Sequence, residues 1–142
     1  MIYKTKPLKH QHDAVERFRD QNYGALFCEM GTGKTKIVRD ILRNSTDLFE
    51  AVVIAPNGLH HNWAINEIPK HINSSDLDPV EVYCWKGPIK TKKNKQEFAR
   101  FLKPESCRIF LINVEALRTS SGFETTIKFL KTCVGLKHMI ID

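Results

Sequence analysis

Ala25-Leu26-Phe27-Cys28-Glu29-Met30-Gly31-Thr32-Gly33-Lys34-Thr35-Lys36-Ile37-Val38-Arg39-Asp40-Ile41-Leu42 runs without a break from an apolar stretch, through a glycine turn, into an amphipathic helical segment. Glycines let the backbone curl so that successive N–H groups converge on one anion, and a helix opening at Lys34 adds the positive end of its dipole to the same spot. Such a turn suits the phosphates of a nucleotide. In the pattern G-x-x-x-x-G-K-[ST], Met30, Gly31, Thr32 and Gly33 would cradle the phosphates. Lys34 would reach the β- and γ-phosphates of ATP, and the Thr35 hydroxyl would hold Mg²⁺. Cys28 stands where that pattern has its first glycine. The plain alternative is a chance glycine turn before a helix.

Working outward, strands and helices alternate. Residues 8–21 carry apolar side chains at helical spacing. Short apolar runs at 23–27, 51–55, 80–85, 108–113 and 138–141 read as strands, several without polar alternation, as both faces of a buried parallel sheet require. Helical stretches are expected at 35–43, 59–71, 94–103 and 123–133. This series predicts an α/β fold, a doubly wound and mainly parallel sheet with helices on both faces and ligands at the carboxyl edge of the strands. Only the loops at 73–79 and 86–95 are long, and no internal repeat is present.

The chain has 142 residues, a single domain's worth, with a net charge of +6 and a pI near 9.2. The basic balance leans toward a polyanionic partner without requiring one. Cys28, Cys84, Cys107 and Cys133 form neither a C-x-x-C clamp nor a dense disulfide framework, so reduced, mostly buried thiols in a cytoplasmic protein are expected. No stretch reads as a secretory signal or a bilayer span.

Further groups fall at the expected ligand edge. Gln11 opens the first helix, and a glutamine amide can both donate to and accept from adenine; an exposed helix glutamine is the other reading. After the second strand, Pro56-Asn57-Gly58 forms a turn whose N–H groups suit a nucleic-acid phosphate. His60 and His61 read poorly as metal ligands, because neighbours on a helix point about 100° apart and no third ligand has suitable spacing. Trp63 reads as a packing residue rather than a base-stacking platform. Five lysines between 86 and 95 make either a nucleic-acid patch or a solvated loop. Asn113 to Thr119 leaves a strand for a helix. His138 to Ile141 runs into Asp142, an acid placed to anchor Mg²⁺ opposite Thr35.

Taken in order, Gln11, the Glu29–Thr35 loop, Ala55-Pro56-Asn57-Gly58 with Trp63, Asn113-Val114-Glu115-Ala116-Leu117 and Met139-Ile140-Ile141-Asp142 resemble the motifs of superfamily 2 helicases. The Swi/Snf-like branch, in its phage and prophage members, is most similar. The resemblance spans essentially the whole chain. It implies a P-loop, RecA-like first motor domain occupying residues 1–142, with ATP and Mg²⁺ as cofactors and DNA, double-stranded or branched, as partner. It implies that Lys34 and Asp142 serve catalysis, that Gln11 and Met30 to Thr35 bind ATP, that Thr35 and Asp142 hold the metal, and that Asn57, Gly58, Asn113, Arg118 and Thr119 contact the nucleic acid. In that family the acid is followed by a water-polarising Glu, a further strand lies between those of the phosphate loop and of Asp142, and a second motor domain supplies an arginine finger. The sequence stops at Asp142, so the expectation is an incomplete domain that binds nucleotide weakly, hydrolyses little, and either leaves a gap in its sheet or exchanges a strand within a homo-oligomer. A P-loop kinase or phosphotransferase and a non-catalytic, basic DNA-binding fragment are the competing expectations.

Overall fold

The computed structural model describes residues 5–44, 48–71, 80–103 and 106–142. Four parallel strands form one sheet in the order β2-β3-β1-β4, with β1 spanning Phe49–Ala55, β2 Val80–Cys84, β3 Cys107–Asn113 and β4 Leu136–Ile141. Ala51 pairs with Ile109 on one side and with His138 on the other, which makes β1 and β3 the two inner strands. The α/β class and the parallel sheet follow the sequence reading. The loop at 73–79 lies outside the described residues.

Alternation along the strands divides the core in two. Phe49, Ala51, Val53, Cys107, Ile109 and Leu111 pack against Leu42 of α2 (Lys34–Arg43), Trp63 and Ile68. Those last two residues lie in one helical run: α3 (Leu59–Asn62), a π-helical turn (Trp63–Glu67) and α4 (Ile68–His71). On the opposite face Val52, Ile54, Phe110 and Ile112 meet α5 (Lys92–Phe101) and, after the short α6 (Val114–Leu117), α7 (Ser120–Thr132). Phe101, Phe110 and Phe129 stack there, with ring centroids 5.3 and 5.6 Å from Phe129. Because both faces are covered, the inner strands carry apolar side chains at nearly every position, the paired Glu50 and Arg108 being the buried exceptions, which is why these runs lack polar alternation. The α1 helix (Lys9–Phe18) packs on α2.

Caps decide where several helices begin. Thr91 accepts from the Asn94 N–H at 3.2 Å, Asn113 from Ala116 N–H at 2.6 Å and Thr119 from Gly122 N–H at 3.1 Å. These caps start α5 and α7 before the positions that apolar spacing alone suggests, since a capping oxygen satisfies donors that the helix leaves open.

One expected element is absent. Residues 23–27, read as the strand that feeds the phosphate loop, take an irregular path outside the sheet, with Tyr23 90% and Phe27 96% exposed. Apolar composition favours a strand only where a neighbour offers ladder partners. Here β4 ends the sheet, and the stretch stands off from it across a cavity of about 1330 Å³.

Candidate functional site

The glycine turn opens α2 as its sequence requires. Gly31 and Gly33 adopt φ of +79° and +82°, a left-handed backbone that side-chain-bearing residues enter at a cost. Gly33 is the cap residue before Lys34. The Lys34 ammonium folds over the loop, donating to the Cys28 and Glu29 carbonyls at 3.0 and 3.1 Å, and the Thr32 hydroxyl donates to the Glu29 carbonyl at 2.8 Å. Met30 projects almost fully into solvent.

Gln11 sits against this loop, not apart from it. Its side chain is buried, accepting from the Leu8 N–H at 3.0 Å and donating to the Thr32 carbonyl at 3.0 Å, while a His10 ring nitrogen meets the same carbonyl at 3.0 Å. The amide expected to read a base is thus engaged in holding the turn, with one N–H and one oxygen lone pair beyond these two bonds.

Lys34, Thr35, Trp63 and Asp142 line the same cavity. Asp142 continues the parallel ladder past β4, its N–H donating to the Ile54 carbonyl at 2.9 Å, and its carboxylate accepts from the Trp63 indole N–H at 2.7 Å. Trp63 is buried, as the packing reading expected, and in addition it aims the acid. That contact joins residues 79 positions apart. No local spacing announces it. A hydroxyl, from Thr35, and a carboxylate, from Asp142, thus reach one cavity from separate elements.

Of the residues expected to meet nucleic acid, Asn57, Gly58 and Asn113 lie at the carboxyl edge of β1 and β3, while Arg118 and Thr119 follow α6. Ala55 and Asn113 are register partners, and the Asn113 amide donates to Asn57 Oδ1 at 3.4 Å. Asn113 and Thr119 spend side-chain oxygens on helix caps, and Thr119 also donates to the Ala116 carbonyl at 2.7 Å. Arg118 is exposed, and Gly58, at φ +89°, faces open space. Backbone groups at Gly58 and the Arg118 charge therefore suit a phosphate better than the capped side chains do.

The histidine pair does have a third potential ligand beside it in space, though none at suitable spacing along the chain. Cys84, at the end of β2, comes up beside α3, so the ligand atoms of His60, His61 and Cys84 all lie within 4.8 Å of one another. A third group able to ligate is thus brought to the pair by topology rather than by spacing along the chain. His60 is only 1% exposed, and neither of its ring nitrogens has a hydrogen-bond partner among the described residues. Burial, then the neighbouring His61, lowers its pKa, against a weaker pull upward from the backbone of Trp85 and Pro56 and from Glu115. Burial raises the pKa of the Cys84 thiol, and Lys86 partly offsets this.

No disulfide forms among the described residues, and none of their helices is long and apolar enough to cross a membrane. No family model, curated protein or solved structure matches the chain.

Proposed function

We propose that this chain binds ATP with Mg²⁺ on the Lys34 loop, as the nucleotide-binding part of an ATP-dependent DNA helicase or translocase that couples hydrolysis to movement along DNA. One observation carries the reading: Lys34, Thr35 and Asp142 arrive from the two ends of the sequence on a single cavity, directly after a left-handed glycine turn. Lys34 would exchange its loop carbonyls for the β- and γ-phosphates, and the turn's N–H groups with the start of α2 would hold the same anion. Thr35 and Asp142 would hold Mg²⁺, with Trp63 fixing the orientation of the acid. Gly58, just past β1, and Arg118, which ends α6, would lie along the DNA backbone.

A fluorescent ATP analogue titrated into wild type and Lys34→Ala tests this. Losing a charge-assisted contact of about 1.5–3 kcal/mol weakens binding by roughly 10- to 150-fold. Equal affinities would remove the central assignment. Salt-sensitive DNA binding that ignores both nucleotide and Lys34→Ala would instead point to a non-catalytic basic surface, and labelled phosphate passed to a small acceptor would point to a kinase.

A further inference from the structure

We infer that His60, His61 and Cys84 form a zinc-binding site where α3 meets the end of β2. The site is independent of the nucleotide reading. Its geometry is close to that of a bound ion. A tetrahedral zinc with bonds of about 2.0–2.3 Å sets its ligands roughly 3.3–3.8 Å apart. Cys84 Sγ already lies 3.3 Å from His61 Nδ1, and no pair in the trio exceeds 4.8 Å, so small side-chain rotations close the set.

The second observation is the state of His60. Neither ring nitrogen of this buried imidazole makes a hydrogen bond of good geometry, although the backbone of Trp85 and Pro56 comes close enough to pull its pKa upward, and a buried polar atom so poorly served is costly. A cation that takes the lone pair of one nitrogen relieves that atom, and the N–H on the other is left to the nearby backbone of Trp85 and Pro56. The His60 and His61 rings lie with centroids 4.1 Å apart, tilted by 39°, so two adjacent residues that would diverge on an ideal helix converge here. The left-handed Gly58 before them and the π-helical turn after them bracket this short helical turn. On the other side, β2 is held in place through the Trp85 N–H, which donates to the Leu111 carbonyl at 2.8 Å.

Chemistry selects the ion. Two imidazoles and a thiolate are borderline-soft donors that favour zinc over Mg²⁺ or Ca²⁺, which seek oxygen. The Cys84 thiol gives its proton to solvent as the sulfur ligates. Three protein ligands leave the fourth position open to water or to an incoming group, at the same strand edge that carries Asn57 and Gly58.

The test uses the reduced, tag-free chain. Zn²⁺ affinity is measured by competition with a chromophoric chelator, and Co²⁺ serves as the spectroscopic stand-in. Wild type is expected to bind one ion per chain and to show a thiolate-to-cobalt charge-transfer band, and Cys28→Ser, which alters another partly exposed thiol, should behave identically. Cys84→Ser should abolish the band and weaken zinc binding more than about 100-fold. If Cys84→Ser does not fold, His61→Ala must lower the affinity and change the cobalt ligand-field spectrum. Absence of the band in wild type, its survival in Cys84→Ser, or an unchanged His61→Ala overturns the inference.

Discussion

Arg108 sits in the middle of the sheet, wholly removed from water, yet every part of its guanidinium is engaged. It pairs with Glu50, its register partner on β1, and donates to the carbonyls of Phe101, Leu102 and Thr132 while lying 5.2 Å above the Phe129 ring. The other Glu50 oxygen accepts from Gly135 N–H at 2.8 Å, so the pair ties α5, α7 and the entry to β4 together. Arg39 on α2 is equally buried but poorly served: its nearest acid is Asp40 at 3.7 Å, none of its nitrogens has a hydrogen-bond partner among the described residues, and burial pulls its pKa down to about 10. Physical chemistry gives these two arginines opposite fates. Glu50→Gln strands a buried charge and is expected to lower stability by about 3–5 kcal/mol, whereas Arg39→Met removes an ill-satisfied one and should be neutral or stabilising. Urea denaturation of both variants checks the contrast; a harmless Glu50→Gln would mean the network is not organised around that pair. Neither role was legible in the sequence. Each residue there looks like a charge at the margin of an apolar run, and only strand register brings Glu50 under Arg108.

At the scale of elements, the junction of glycine turn and α2 is where local sequence spoke most clearly. Gly31 and Gly33 share a left-handed backbone, but a Cβ on Gly31 meets open space, while one on Gly33 would come 2.4 Å from Gln11 Nε2. Gly31→Ala should therefore cost only the backbone strain, about 1–2 kcal/mol. Gly33→Ala should cost that and also dislodge Gln11 from the Thr32 carbonyl, loosening the loop. Thermal unfolding and amide exchange at residues 28–35 separate the two: equal losses with equal exchange would dissociate Gln11 from the turn. Helices and inner strands were readable because burial on two faces imprints continuous apolar runs. The stretch 23–27 has the same composition yet lies outside the sheet, since a strand is a property of a pair and composition does not supply the pairing. The histidine–cysteine trio escaped for a related reason: a crossover connection, not a motif, delivers Cys84 to His61.

The molecule as a whole is lopsided. On one side β2 ends the sheet, while on the other β4 is backed by β1 but leaves its outer edge toward a cavity whose far wall is the irregular stretch 20–26. Its volume, about 1330 Å³, exceeds the ~300–1,000 Å³ of ordinary small-molecule sites, so the space is larger than triphosphate binding alone calls for. Along β4, Ile140 packs inward while Met139 and Ile141 are 64% and 75% exposed, and across the gap Tyr23 and Phe27 are also solvent-facing. Unpaired ladder groups beside exposed apolar side chains form the kind of edge that recruits another strand. The expected consequence is concentration-dependent self-association of the chain, with a copy's strand completing the ladder at β4. Met139→Lys combined with Ile141→Lys puts two charges on exposed positions that no core contact uses, so it should leave the fold intact and keep the chain monomeric in sedimentation velocity, as charged edges do in natural sheets. Amide exchange adds the local readout: β1 and β3 should be the slowest strands in both proteins, while β4 should gain protection with concentration only in wild type. A wild-type chain that stays monomeric at high concentration, with β4 exchanging at one rate throughout, would mean that the gap is closed from within the chain and that no copy is needed to fill it.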